Sequence, residues 1–303
     1  MPFEEQYRRQ VALLLKAIPL VAAEDCFALK GGTAINLFVR DMPRLSVDID
    51  LTYLPVQSRD KSLKEIDAAM TRISERIKET IPGARVTATK AEGATVKLLL
   101  RADGAQIKIE VTPVLRGCVY PHELRSVSPA VESAFGFAEM NVVSFPDLYA
   151  GKIVAALDRQ HPRDLFDIRD LLANEGIDDA LRRAFIVYLL SHGRPMSEVL
   201  APTRKPIKEE FLRGFEGMTE NPVSLDELVA TREKLIGIVV GDMPKDHRSF
   251  LMSFKRGEPD WKLLGVPEAS SLPAVKWRQQ NLDKLAKAKR DALITQLAKV
   301  LDQ

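Results

Sequence analysis

The chain has 303 residues, 46% of them hydrophobic and 28% charged, with a net charge of +2. That length allows one large domain or two ordinary ones, and the composition excludes a disordered or fibrous chain in favour of a globular protein with a sizeable core. No run approaches the ~20 apolar residues of a membrane span, and the apolar segment from Val11 to Ala23 is broken by Lys16 and preceded by Glu5, so a signal peptide is disfavoured and the chain reads as cytoplasmic.

The first predicted element is an amphipathic helix with Val11, Leu14, Leu15 and Ile18 at helical spacing. Cys26 to Lys30 reads as a short buried strand. Gly31-Gly32 then turns the chain, and Thr33 to Val39 reads as a short helix. Leu45 to Leu51 alternates strictly and predicts a strand. Lys61 to Thr80 predicts a helix with Leu63, Ile66, Met70, Ile73 and Ile77 on one face. Pro82-Gly83 ends it. Strands are expected over 84–89, 95–101 and 106–114, with Asp103-Gly104 as a hairpin turn between the last two. From Asp147 on the pattern is mostly helical. The expected class is therefore α+β, with a mixed α/β part over 1–145 and a mostly helical part over 146–303. Cys26 and Cys118 lie far apart without a CxxC pair, and the four histidines are scattered. A structural zinc site is disfavoured, and buried thiols are expected.

Three segments carry candidate chemistry. In Lys30-Gly31-Gly32-Thr33, two glycines let backbone approach a ligand, and the helix that follows would aim N–H groups and the Thr33 hydroxyl at a phosphate. A plain tight turn capped by Thr33 explains the same residues. In the strand from Arg44 to Leu51, alternation sends Leu45, Val47, Ile49 and Leu51 inward and Arg44, Ser46, Asp48 and Asp50 the other way. Strands disfavour Asp, and two like charges side by side call for a cation. Mg²⁺, or Mn²⁺ in its place, fits two carboxylates plus phosphate oxygens. A solvated strand face is the plainer reading. In 106–111, Ile107, Ile109 and Val111 point inward, with Gln106, Lys108 and Glu110 opposite. Glu110 becomes a third metal-binding carboxylate if this strand lies beside that of Asp48, and it could accept the proton of an attacking hydroxyl. Otherwise it is a surface charge.

Gly-Gly-Thr followed fifteen residues later by Asp-x-Asp, with a later strand carboxylate, resembles the DNA polymerase β-like nucleotidyltransferases. A narrower likeness is to their AbiEii/AbiGii (MenT-like) toxin branch, typified by Gly31, Gly32, Thr33, Asn36, Arg44, Ser46, Asp48 and Asp50. The second half is similar to that branch in a helical Lys152 followed by an Arg163-Asp164-x-x-Asp167 helix, which His161-Pro162 would start. The resemblance implies a polymerase β-like domain, a mixed sheet with flanking helices, over 1–145, and a helical domain over 146–303 that completes the active site. It implies catalytic Asp48, Asp50, Glu110, Lys152 and Asp167, with Lys152 reaching a phosphate and Asp167 orienting it or the acceptor. Nucleotide binding would fall to Lys30, Gly31, Gly32, Thr33, Asn36, Arg44, Ser46, Arg163 and Asp164. Arg163 and Asp167 are expected on one helix face, and Asp164, Arg169 and Asp170 also fit a surface ion-pair ladder. Glu110 stands where many of these enzymes have Asp.

The implied function is a type IV toxin of a toxin–antitoxin or abortive-infection system. It would transfer nucleotides from an NTP to the 3′ acceptor end of tRNA, with a winged-helix antitoxin encoded nearby. A small-molecule acceptor, a kinase-like phosphoryl transfer and a silent antitoxin-binding module are the alternatives. Lys276 to Gln303 carries seven Lys/Arg against three Asp, with Leu282, Leu285, Leu293, Leu297 and Leu301 as a candidate buried stripe. It reads as a solvated amphipathic helix ahead of an RNA contact. Arg204, Lys205 and Lys208 form a second basic cluster, and Trp261 and Trp277 are expected in packing roles.

Overall fold

A computed structural model describes residues 5–302; Gln303, the end of the basic stretch, lies outside them. The chain divides into two compact units. One holds the chain up to Ser144 together with Gly217–Pro222; the other holds Phe145–Glu216 and the chain from Val223 onward.

The first unit is a seven-stranded mixed sheet with helices. Helix α1 (Glu5–Ala22) leads into β1 (Phe27–Lys30), a short α2 (Gly31–Thr33) and a π-helical turn, Ala34–Val39. Then come β2 (Asp48–Tyr53), α3 (Arg59–Thr80), β3 (Arg85–Ala91), β4 (Ala94–Ala102) and β5 (Ala105–Arg116). Strand β6 (Glu123–Ser126), α4 (Pro129–Phe135) and β7 (Glu139–Val142) complete it. The sheet order is β3-β4-β5-β2-β1-β7-β6. Helix α1 buries Val11, Leu14, Leu15 and Ile18 as its spacing predicts, and packs on β5 and β7; α3 packs on β4. Ile49 and Leu51 of β2, Leu98 and Leu100 of β4 and Ile107 and Ile109 of β5 supply buried apolar side chains to this core.

Both long hairpins turn through paired left-handed residues. Asp103 and Gly104 have φ of 52° and 72° at the expected turn, and Glu92 and Gly93 have 54° and 85° at one the sequence does not advertise. The strand expected from Leu45 begins only at Asp48. Ahead of it, Arg44 bridges Thr219, and the Leu45 amide donates to the Met218 carbonyl at 3.0 Å. Residues 44–45 thus pair with this distant segment instead of continuing the strand. Arg44 is consequently buried and Val47 half-exposed, opposite to simple alternation.

The second unit is helical. It comprises α5 (Phe145–Arg159), α6 (Pro162–Asn174), α7 (Asp179–Ser191), α8 (Met196–Leu200), α9 (Lys208–Gly214), α10 (Leu225–Ile236), α11 (Lys245–Arg256), α12 (Trp261–Leu264), α13 (Pro273–Asp283) and α14 (Lys287–Leu301). Helix α5 packs between α6 and α7, and α11 on α14. His161 caps α6 by accepting from the Arg163 amide at 3.1 Å, with Pro162 in the first turn, as the sequence predicts.

Several expectations change here. The basic stretch is two helices, not one; Leu282, Leu297 and Leu301 are buried, but Leu285 and Leu293 only half so. Trp261 packs on Phe250 at 5.0 Å between centroids, whereas Trp277 is 55% exposed and takes no core role. Arg204 is paired to Glu233 at 2.8 Å rather than presented as part of a basic patch. Both cysteines are free thiols and half-buried; burial, then Glu24, pushes the Cys26 thiol up to about 11, away from reactivity. Among the described residues no helix is long and apolar enough to cross a membrane.

Candidate active site

The charged face of the sheet follows from register. Partnered residues on neighbouring strands share a face. Strand β2 runs parallel to β5 with Asp48 opposite Lys108 and Asp50 opposite Glu110. Strand β1 places Lys30 opposite Asp50, and β4 places Lys97 opposite Glu110. One transverse row therefore reads Lys97, Glu110, Asp50, Lys30, and the next holds Lys108 beside Asp48. The three expected carboxylates do gather on one face. Lys97 and Lys108, which the sequence reading did not single out, sit among them. Their signal was present: Lys108 alternates with Glu110, and Lys97 lies in the strand that the Asp103-Gly104 turn folds back.

These charges are engaged with one another. Lys97 Nζ lies 2.5 Å from Glu110 Oε1, and Lys108 Nζ donates to Asp48 Oδ2 at 3.3 Å. The bond to Glu110 holds the Lys97 ammonium above its ordinary proton affinity. Lys30 Nζ donates to Thr112 Oγ1 at 3.4 Å. Withdrawal from water lowers its proton affinity, and the Asp50 carboxylate opposes that.

The glycine bend is built against the carboxylates. Gly31 has φ of +77°, and a Cβ there would lie 2.6 Å from Asp50 Oδ2. A Cβ on Gly32 would lie 2.7 Å from Ser46 Oγ and 2.9 Å from Arg44 Nη2. Both positions thus exclude a side chain, one through backbone conformation and both through space. Gly31→Ala should cost the backbone penalty of about 1–2 kcal/mol and also displace Asp50. Gly93→Ala, at φ +85° with nothing within 4 Å of the added carbon, carries the first cost only. Thermal melts and turnover compare the two. Equal stability losses with turnover intact in both would contradict this role for Gly31.

Three residues expected at the nucleotide are buried and bonded within the chain. Thr33 is fully buried; its hydroxyl donates to the Asp48 carbonyl at 2.5 Å and lies 3.1 Å from Ser46 Oγ. That bond ties the bend to the acidic strand and corrects the expectation of a hydroxyl offered to a ligand. Asn36 is fully buried and donates to the Gly32 carbonyl at 2.9 Å. Arg44 is buried, with Nη1 donating to the Leu45 carbonyl at 2.8 Å.

In the helical unit, Lys152 Nζ lies 2.9 Å from both Asp164 Oδ1 and Asp167 Oδ2, and all three side chains are buried. Asp167 is ion-paired to Lys152. Asp164 belongs to this buried cluster and not to a surface ladder; Arg159 also reaches it at 2.8 Å. Burial raises the Asp164 carboxyl, but Lys152 and Arg159 outweigh it and hold the group below the usual carboxylate range. Arg163 is exposed while Asp167 is buried, so the two do not present one common face. Arg169 and Asp170 form an ordinary ion pair at 2.9 Å.

Among the described residues no group of three or more His, Cys, Asp or Glu forms a ready cage for a metal. The donors present are hard carboxylate oxygens, of the kind a magnesium-type ion takes one or two at a time while phosphates and water supply the rest. Asp48 and Asp50 fit that requirement.

The family model described as nucleotidyl transferase AbiEii toxin, type IV toxin–antitoxin system, matches residues 13–281. Six solved chains match in structure. One is MenT4, a nucleotidyltransferase toxin from Mycobacterium tuberculosis H37Rv, at TM-score 0.60 and 17% identity, covering 91% of this chain and 94% of that one. No curated protein matches the sequence significantly.

Proposed function

The chain belongs to the AbiEii family of nucleotidyl transferase toxins of type IV toxin–antitoxin systems, and from that premise we propose that it transfers nucleotides from an NTP to the 3′ acceptor end of tRNA, in the cytoplasm, with Mg²⁺ held by Asp48 and Asp50. The family implies an antitoxin partner, which we propose is of winged-helix type and encoded nearby. The observation that carries the reading is the packing of Gly31 against Asp50, in a row that also holds Glu110.

Bound between Asp48 and Asp50, the cation would neutralise both carboxylates and polarise phosphate oxygens of the triphosphate. The chain's own residues do the rest. The side-chain-free bend at Gly31-Gly32 lets Asp50 and Ser46 close against the backbone that would face the phosphates. Thr33 ties that backbone to the acidic strand, and Asn36 holds the Gly32 carbonyl. Glu110, opposite Asp50, accepts the proton of the attacking ribose hydroxyl. The oxygen bonds to the α-phosphorus, the bond to the β-phosphate oxygen breaks, and pyrophosphate leaves. Positioning and charge neutralisation supply the catalysis, with no covalent intermediate.

The test is to incubate the purified chain with Mg²⁺, total tRNA and each NTP labelled at the α- or the γ-phosphate, beside Asp48→Ala. Label should enter tRNA from the α-phosphate with the parent chain only. Transfer from the γ-phosphate alone, or equal labelling by the variant, would replace this function with a kinase or a contaminant.

A further inference from the structure

Lys97 and Lys108, like Lys30 opposite Asp50, stand opposite acids on neighbouring strands. Each is the direct cross-strand partner of an acid assigned to the site: Lys97 of Glu110, Lys108 of Asp48. Each ion pair is half-exposed, at 36% and 38% for Lys97 and Glu110 and 41% and 38% for Lys108 and Asp48. Exposed pairs of this kind are weak and exchange readily. A lysine ammonium is a point charge on a flexible four-carbon stem and can turn to a new anion without matching a fixed fork. Lys152 is the contrast, buried between two carboxylates with no such freedom.

Charge balance says when the exchange would occur. Lys30, Lys97 and Lys108 match Asp48, Asp50 and Glu110 in number, so these two rows balance without cation or nucleotide. A divalent ion drawing Asp48 and Asp50 to itself leaves Lys108 without a partner. Engagement of Glu110 by the acceptor hydroxyl does the same for Lys97. The phosphates sharing that ion must then lie over β2 and its neighbours, and strands are about 4.8 Å apart. Both freed ammonium groups are rooted one or two strands away.

We propose that Lys97 and Lys108 are exchange cations, holding Glu110 and Asp48 in the absence of a divalent ion and turning to the triphosphate when ion and NTP enter together. The inference rests on the proposed nucleotide site and names two further residues of it. It makes loading of the ion and the nucleotide cooperative: the lysines compete with the ion alone and help the nucleotide.

Binding measurements test this without turnover. Mn²⁺ affinity is read by electron paramagnetic resonance, and nucleotide affinity by calorimetry with NTP analogues carrying a methylene bridge between the α- and β-phosphates. The proteins are the parent chain, Lys97→Met, Lys108→Met, the double variant and Asp48→Asn. The double variant should bind Mn²⁺ about fivefold tighter and the Mn²⁺-loaded analogue about tenfold more weakly than the parent. A merely structural role would weaken both. If the double variant does not fold, the single variants must show the same opposed shifts, each about twofold. Unchanged Mn²⁺ affinity, or both affinities falling together, overturns the exchange. A parent chain that binds Mn²⁺ no better than Asp48→Asn overturns the exchange and the metal assignment together.

Discussion

Asp48→Asn lowers nucleotide transfer by about a thousandfold or more while changing folding stability by less than about 1 kcal/mol. The two effects separate because of where the carboxylate sits. Its pair with Lys108 is half-exposed, at 3.3 Å, and such pairs contribute little to stability. Its neighbours across and along the sheet include Asp50 and, through the register, Glu110, so removing one negative charge also relieves repulsion. Transfer, by contrast, needs two carboxylates to neutralise a cation beside a triphosphate, and an amide oxygen supplies no charge. Asp67→Asn is the matched control. Asp67 accepts from the Thr95 amide at 2.7 Å and the Thr95 hydroxyl at 2.8 Å, so its loss should lower stability and spare turnover. Turnover assays and denaturant melts on both variants decide the matter. Asp48→Asn within tenfold of the parent would remove Asp48 from the chemistry.

Lys152→Met destabilises the helical unit by about 3–5 kcal/mol at neutral pH. The ammonium compensates two buried carboxylates, Asp164 and Asp167, at 2.9 Å each. Methionine fills similar space but leaves Asp167 without that partner and Asp164 with Arg159 alone. Breaking one member of a buried cluster exposes the full desolvation cost of the rest. The pH dependence has a definite sign. The Asp164 carboxyl is held below its ordinary value in the folded chain. It therefore contributes stability that is fully present above the unfolded value, near about 4, and that is lost as pH falls through the lower folded value. Without Lys152 that depression weakens, so the gap between variant and parent should narrow as pH drops below about 4. Asp167→Asn added to Lys152→Met should recover part of the loss. Denaturant unfolding at neutral and acid pH measures all three. A loss under 1 kcal/mol that does not change with pH would contradict the buried-cluster reading.

Local signals in the sequence carried much of the fold. The apolar spacing of α1 and α3, the Asp103-Gly104 turn and the His161-Pro162 break all depend on neighbours within a few residues, and each element lies close to where that spacing puts it. Alternation around Asp48, Asp50 and Glu110 indicated a shared face. The pairing of β2 with β5 depends on chain far apart in sequence, and only the register establishes that Asp50 is opposite Glu110. The same non-local origin explains the corrections. Arg44 turns inward because Thr219 pairs with it. Thr33 and Asn36 are consumed by the carbonyls of Asp48 and Gly32. Short β6 and β7, only four residues each, offer too little alternation to be recognised. Trp277 is exposed, and residue type alone, which favours packing for tryptophan, does not register which face of a helix is covered.

The most direct measurement of the central claim is a crystal structure of the chain soaked with Mn²⁺ and a methylene-bridged NTP analogue, phased on the manganese anomalous signal. A peak within about 2.2 Å of carboxylate oxygens of both Asp48 and Asp50, with the triphosphate beside Gly31-Gly32, is the expected result. Manganese bound elsewhere, or a nucleotide seated away from that bend while Asp48 stays on Lys108, would contradict it.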